Sequence, residues 1–309
     1  MKRFILKTCL LLLPIVVLAG SMEYLLRQIP NDYTYKKGYL DKHAEEIELL
    51  ILGSSDAYYG INPVYFSQNT FNACHVSQTL DLDLKVFNKY QDRLNDLKFI
   101  IIPISYPTLW VKLESGVESW RIKNYALYYG IKTKSPEDNS ELLNGKLGIN
   151  IERLYKYYVK KKNDIFSSEL GWGTNFSSGN AADLEKTGKA TASYHTIKTI
   201  YSKENAKIFT ENIEILNSFA ELCNRKDVKL ILITPPAYRS YRENLNAEQW
   251  NKTIETMDDF AAKHNNCYYI NWLENPDFTA ADFYDANHLN EIGAKKLSEK
   301  LACYIDSIK

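Results

Sequence analysis

Two short stretches of this 309-residue chain hold residue types that could do chemistry together: Gly53-Ser54-Ser55-Asp56, after the apolar run Ile47–Leu52, and "FYDANHLNEIGAKKL", with Asp285 and His288 three residues apart. A serine hydroxyl is a weak nucleophile at neutral pH and needs a base beside it. Histidine is that base when its ring is held in the right tautomer. A carboxylate three residues before it on a turn can accept the Nδ1 proton and leave Nε2 for the serine. Ser55 is the preferred nucleophile and Ser54 the fallback. Taken alone, Ser55 would read as a serine at a strand-to-turn junction and His288 as a helix-entry histidine. Asp56 reads as a packing or capping residue, and Asn62-Pro63 as the cap and first residue of the next segment.

The elements that must position these groups follow from apolar patterning. Ile47–Gly53, Lys98–Ser105 and Val228–Pro236 are apolar runs of buried-strand length, Thr70–Val76 is a weaker one, and Cys267–Asn271 is a short fifth. Between them lie segments with helical spacing. Leu80, Leu84, Phe87 and Leu94 mark one, Ile213, Leu216, Ala220 and Cys223 a second, and Trp250, Ile254, Met257 and Ala261 a third. A last helix from about Asn290 turns Ile292, Leu297, Leu301 and Ile305 inward. This alternation predicts βαβ units: a flavodoxin-like three-layer αβα sandwich with a parallel sheet of about five strands. Such sheets bind ligands beyond the carboxyl ends of their strands. Ser55, Ser77, Ser105, Asp285 and His288 all fall on that rim, with Ser54, Ser77 and Ser105 as expected oxyanion or substrate contacts. The start of a helix after Ser54 would add backbone N–H groups facing a developing oxyanion.

The N-terminus has a different character. Phe4–Gly20 is apolar, flanked or interrupted by Lys2, Arg3 and Lys7, and the helical pattern continues through Leu25 and Leu26. We read residues 1–28 as an uncleaved membrane anchor in preference to a cleaved signal, with the early positive charges keeping the N-terminus inside. Residues 29–45, rich in Lys, Tyr and Asp, are expected to be a linker. Residues 46–309 form the main domain, with an insertion at about 106–200 placed above the sheet. Within that insertion Trp110, Trp120, Tyr128, Tyr129 and Trp172 could stack on sugar rings, but any one of them more often caps a core. His75 and His195 read as structural, His43 and His264 as surface residues.

Composition excludes several classes. Lys plus Arg and Asp plus Glu number 38 each, so no bulk charge attracts nucleic acid. The run Lys160-Lys161-Lys162 reads as a solvated helix face. The five cysteines have no CxxC or Cys/His spacing, so no metal site is expected. Cys74, Cys223, Cys267 and Cys303 read as buried thiols. No cofactor is expected.

"ILGSSDAYYGINP" resembles the first block of SGNH/GDSL hydrolases, with Gly-Ser-Ser in place of Gly-Asp-Ser, and "YDANHLNEIGAKKLSEKL" resembles their last block. The resemblance covers about Ile47–Ser105 and Val228 to the C-terminus. It is nearest in pattern to membrane-anchored members that modify glycans: the D-alanyl transfer protein of teichoic acid synthesis and the alginate O-acetylation proteins. It implies Ser55 as nucleophile, Asp285 as orienter and His288 as base. The chain departs from the pattern in two places. "FNACHVSQTL" lacks the second-block glycine, and "IIIPISYPTLW" stands where Gly-x-Asn-Asp would be. The resemblance implies an extracytoplasmic O-acyltransferase or esterase acting on a cell-surface or exported polysaccharide. Its partners would be an acylated glycan or acyl donor and a multi-pass membrane acyltransferase. The competing reading, favoured by the missing blocks, is a non-catalytic SGNH-like binding or assembly component of an envelope polysaccharide system.

Overall fold

A computed structural model describes residues 1–308. Five short strands form one sheet: β1 (Leu49–Ile51), β2 (Thr70–Asn72), β3 (Phe99–Pro103), β4 (Lys229–Thr234) and β5 (Cys267–Asn271). Every neighbouring pair is parallel, and the order is β2-β1-β3-β4-β5. That is the flavodoxin-like order, whose reversal between β1 and β3 opens a crevice at the strand ends. A separate antiparallel hairpin joins β6 (Phe283–Asp285) to β7 (His288–Leu289).

The helices are α1 (Lys2–Arg27), α2 (Asp32–His43), α3 (Ser55–Gly60), α4 (Leu80–Tyr90), α5 (Ile122–Asn124), α6 (Leu147–Leu154), α7 (Leu184–His195), α8 (Lys203–Arg225), α9 (Arg239–Arg242), α10 (Ala247–Lys263) and α11 (Glu291–Ser307). Alternate strand residues point to opposite faces of a sheet. Leu49, Ile51, Phe99, Ile101, Ile231 and Ile233 form one core with Leu297, Leu301 and Ile305 of α11. On α4 and α8, Phe87 meets Phe219 with ring centroids 5.6 Å apart, and both are buried. The sheet is thus flanked by helices, in three layers.

The chain divides into two compact units. One contains Tyr39–Gly116 and everything from Phe166 onward, including the sheet. The other contains Met1–Gly38 and Val117–Ile165, which combines the N-terminal segment with the middle of the expected insertion. Polar pairing across a long sequence gap holds this second unit. Glu23 accepts hydrogen bonds from the backbone N–H groups of Glu141 and Leu142 (both 3.0 Å) and from the Ser140 hydroxyl (2.9 Å). The Glu141 carboxylate is fully buried and meets Lys123 at 2.7 Å, Arg153 at 2.9 Å and the Tyr128 hydroxyl at 2.5 Å. A buried charge must be paired in this way or it costs several kcal/mol (roughly 3–5 when one partner is lost).

Four sequence expectations differ from the structure. The segment expected as linker carries α2, with Tyr33, Leu40 and Ala44 buried along or just after it. Ile292 is exposed rather than inward, because Asn290 caps α11 and leaves Ile292 in the first turn, off the buried stripe. Cys303 is exposed, while Cys74, Cys223 and Cys267 are buried. Lys161 has φ +57, beyond the helix end, so the lysine run is a turn and not a helix face. The α1 helix is long and apolar enough to cross a membrane or serve as a signal sequence.

Gly53 sets the join between sheet and site. Its φ of +122° is open to glycine and strained for other residues, and a Cβ there would stand 2.4 Å from the Pro103 ring on β3. Gly53→Ala is expected to cost roughly 2–5 kcal/mol through strain and overpacking. Gly38→Ala, where nothing lies within 4 Å, is expected to be neutral or stabilising by up to about 1 kcal/mol. Urea midpoints of the two variants check this; equal midpoints would refute the tight join.

Candidate active site

β1 ends at Ile51, Leu52 and Gly53 follow it, and Ser54 has extended backbone (φ −87°, ψ −163°) before α3 begins at Ser55. The Ser54 hydroxyl donates to Asp56 Oδ2 at 3.2 Å and does not cap the helix. The first-turn N–H groups of α3, that of Ser55 among them, therefore receive no bond from the Ser54 side chain. Behind this turn the Gly53 N–H donates to Asp83 Oδ1 at 2.8 Å, and the Gln78 side-chain amide donates to the same atom at 2.5 Å. Burial pushes the Asp83 carboxyl up to about 7, against the lowering effect of these two bonds.

The hairpin brings the other two groups. Asp285 and His288 face each other across the turn at Ala286-Asn287. Asp285 Oδ1 accepts from the backbone N–H groups of Asn287 (3.1 Å) and His288 (2.9 Å), which fixes the carboxylate. Both carboxylate oxygens lie 3.0 Å from His288 Nδ1, and His288 Nε2 lies 2.8 Å from Ser55 Oγ. With Asp285 ionised, Nδ1–H donates to it, and the neutral ring offers its Nε2 lone pair to the Ser55 hydroxyl. Ser55, Asp285 and His288 are thus joined in one hydrogen-bonded chain. Asp56 Oδ1 is a further 4.0 Å from Nε2.

The electrostatics follow from this pairing. Burial lowers the His288 pKa, but the Asp285 charge and hydrogen bond, with Asp56 behind them, outweigh it and hold it above the usual 6.5. Burial raises Asp285, and the His288 charge, its hydrogen bond and the two backbone N–H groups together bring it below the usual carboxylate value.

An aromatic wall stands beside the imidazole. Phe176 stacks on Tyr59 at 3.6 Å and on Tyr284 at 3.8 Å, and it meets the His288 ring edge-on at 5.4 Å. The loop carrying Phe176 is clamped to α3. Trp172 Nε1 donates to Tyr59 O at 2.6 Å, and the Gly173 N–H donates to Tyr58 O at 2.8 Å.

The other expected contacts lie as follows. Ser105 pairs with the Thr108 hydroxyl at 2.9 Å and lines a small cavity of about 20 Å³, together with Asp56, His195, Tyr241 and Asn287. Ser77 lies in the loop after β2 with φ +61°, a backbone that glycine would adopt without strain. Of the aromatics, Trp110 and Tyr129 are buried, and the Trp110 N–H donates to Thr253 at 3.0 Å. His75 is buried, and His264 pairs with Asn217.

Several groups at the site carry no pattern in the sequence. Asn287 is one: its Nδ2 lies 3.3 Å from His288 Nε2, and its buried Oδ1 has no hydrogen-bond partner among the described residues. His195, at the end of α7, is another. Its Nδ1 lies 2.8 Å from the Tyr241 hydroxyl, and burial pushes its pKa down to about 4. The one signal for Asn287 was its place inside the Asp-x-x-His turn. Among the described residues no group of three or more His, Cys, Asp or Glu is placed to hold a metal ion.

Comparisons with known proteins add the following. A family model described as "Protein of unknown function (DUF1574)" matches residues 148–296, less than half of the chain, including Asp285 and His288 but not Ser55. A comparison with curated proteins gives no match. Among solved structures, the chain is similar to a provisionally assigned platelet activating factor from Streptococcus pneumonia (TM-score 0.46, 10% identity, covering 96% of this chain and 99% of that one). It is also similar to a provisionally assigned acylhydrolase from Bacteroides fragilis (TM-score 0.40, 12% identity, 88% and 96% covered). A third likeness is to a GDSL-like lipase from Bacteroides thetaiotaomicron (TM-score 0.41, 13% identity, 90% and 100% covered). With every score below 0.5, the fold is read from its own strand order and register.

The two histidines should titrate far apart. In an NMR pH titration His288 is expected to change charge above 6.5 and His195 near 4. Asp285→Asn removes the charge and the carboxylate bond that do most to raise His288 and leaves burial opposed only by Asp56, so its pKa is expected to fall. An unmoved His288 titration in Asp285→Asn would contradict the pairing.

Proposed function

We propose that this protein is a membrane-anchored, SGNH-like serine acyltransferase or esterase that moves an acyl group on or off a polysaccharide outside the cytoplasm. The observation that carries the reading is the continuous chain from Ser55 Oγ through His288 to Asp285, at 2.8 and 3.0 Å. The resemblance of the Gly-Ser-Ser and Asp-x-x-His blocks to SGNH hydrolases supports it, as does α1 for the anchor.

In this reading Ser55 Oγ attacks the acyl carbonyl carbon while His288 Nε2 takes the hydroxyl proton. Asp285 holds the ring and stabilises the imidazolium without itself being protonated. The carbonyl π-bond pair moves to oxygen, giving a tetrahedral oxyanion that the Ser55 N–H at the start of α3 helps to stabilise. The oxyanion collapses, the alkoxide leaves with the proton from His288, and an acyl-Ser55 ester remains. A hydroxyl of the acceptor glycan, or water, then gives its proton to His288 and attacks the ester carbon, and the second tetrahedral oxyanion collapses as the C–O bond to Ser55 breaks and His288 returns the proton to Ser55 Oγ. Transfer and hydrolysis differ only in that second nucleophile. The Phe176 wall beside the imidazole would disfavour water and so favour transfer. A multi-pass membrane acyltransferase is the partner class this reading calls for as acyl donor.

The test is activity-based labelling of the full-length protein in detergent. A fluorophosphonate is expected to modify Ser55, as mapped by mass spectrometry, and His288→Ala to abolish the adduct. Hydrolysis of p-nitrophenyl acetate should fall by about 10³-fold or more in Ser55→Ala. Its kcat/KM should rise with pH through a value above 6.5, because only neutral His288 accepts the proton. A folded protein that takes no label, or takes it at Ser54, would overturn the assignment of Ser55.

A further inference from the structure

The unit formed by Met1–Gly38 and Val117–Ile165 contains a helix that is inside out for a water-soluble protein. α6 continues through a wider π-turn, Tyr155–Val159. Surface helices normally bury an apolar stripe and show polar residues to water. Here the packed side is polar. Asn150 is 2% exposed and donates to Glu141 O at 3.1 Å, and Arg153 bonds Glu141 at 2.9 Å and Asp164 at 3.1 Å. The outward side is apolar. Leu147, Ile151 and Tyr155, one turn apart, are 60%, 52% and 50% exposed, and Tyr158 and Val159 extend the stripe. Basic residues flank it: Lys146 just before the helix, Lys156 on it, paired with the exposed Glu152 at 2.8 Å, and Lys160, Lys161 and Lys162 in the turn after it are all exposed, and Lys160 Nζ sits 5.6 Å over the Tyr155 ring.

The placement of this helix identifies what covers it. The Tyr158 hydroxyl donates to Leu25 O at 3.1 Å, on the last turns of α1. At about 1.5 Å per residue, α1 is roughly 39 Å long, against a hydrocarbon core of roughly 30 Å. If α1 spans the bilayer, its last turns emerge at the level of the headgroups, and α6 touches it there. An apolar stripe with aromatic residues and flanking lysines at that depth has the chemistry of an interfacial helix.

We infer that Leu147–Val159 lies in the surface of the lipid bilayer beside the exit of α1, with Leu147, Ile151, Tyr155 and Tyr158 in the acyl boundary and the lysines on anionic headgroups. This gives the unit a second attachment besides α1, and it rests on the reading of α1 as a membrane span. The Ser55 chemistry plays no part in it.

The test uses the full-length chain with Cys9→Ser and Cys303→Ser, reconstituted in phosphatidylethanolamine–phosphatidylglycerol vesicles. Single nitroxides are placed by Ile151→Cys, Tyr155→Cys, Lys162→Cys and Leu12→Cys, each variant being checked for an unchanged urea midpoint. Depth is read by electron paramagnetic resonance from collisions with oxygen and with a water-soluble nickel chelate. Ile151 and Tyr155 labels are expected roughly 5–10 Å below the phosphates, and the Lys162 label at or above them. Nickel access at Ile151 and Tyr155 equal to that at Lys162 would overturn the inference. Shielding of both labels from both reagents would also overturn it, in favour of a protein partner. The Leu12 label separates the two readings. A lipid signal at Leu12 with an aqueous one at Ile151 and Tyr155 refutes the interfacial helix and leaves the anchor standing. An aqueous signal at Leu12 refutes the anchor, whatever α6 does.

Discussion

The site depends on one charge held in place by a two-residue turn. Asp285 receives two backbone N–H groups from its own hairpin and a third hydrogen bond from His288 Nδ1. Those bonds offset the cost of burying the carboxylate, and the carboxylate in turn offsets the cost of burying a cationic imidazole. The hairpin also sets direction: with Nδ1 committed to Asp285, the remaining ring nitrogen points at Ser55. The neighbouring Asn287 reaches the same nitrogen at 3.3 Å against 2.8 Å for the serine, so the serine holds the shorter bond.

The other half of the site is held by the sheet. The parallel register carries β1 to an end beside β3, where the Pro103 ring fills the space a Cβ at Gly53 would need. Asp83, at the start of α4, then fixes the Gly53 N–H. Ser55 is thus located by a strand end, a proline and a buried carboxylate, and the loop at Trp172-Gly173 is bonded to its helix. These contacts come from four separate stretches of chain, which makes the turn rigid without any contribution from the serine itself.

Much of this was legible in the sequence, for physical reasons. Buried parallel strands must be apolar on both faces, so β1, β3 and β4 stand out as short runs of Ile and Leu, while the edge strands β2 (Thr-Phe-Asn) and β5 (Cys-Tyr-Tyr-Ile-Asn) give weaker signals. Their alternation with amphipathic helices implies the sheet type, and the sheet type places Ser55 and His288 on one rim. What escaped detection has no period to reveal it. The β6–β7 hairpin is too short to show alternation. The union of the N-terminal segment with residues 117–165 rests on Glu23 and Glu141, polar contacts between segments more than 100 residues apart in sequence. His195 and Tyr241 meet because two helices converge, a fact of packing alone. Ile292 fell on the wrong side because the Asn290 cap places it in the first turn, and Cys303 because it lies two residues from both Leu301 and Ile305, opposite the stripe they bury.

The bond between Ser55 and His288 closes a loop of 233 residues. Contacts of such separation carry a high closure entropy and form late, after local helices and neighbouring strands. Synthesis proceeds from the N-terminus, so Ser55 emerges long before His288 does. Through that interval it is an ordinary alcohol. On the proposed reading, activity would therefore report on the completed chain: a truncated or half-folded molecule carries the serine without the histidine that would activate it.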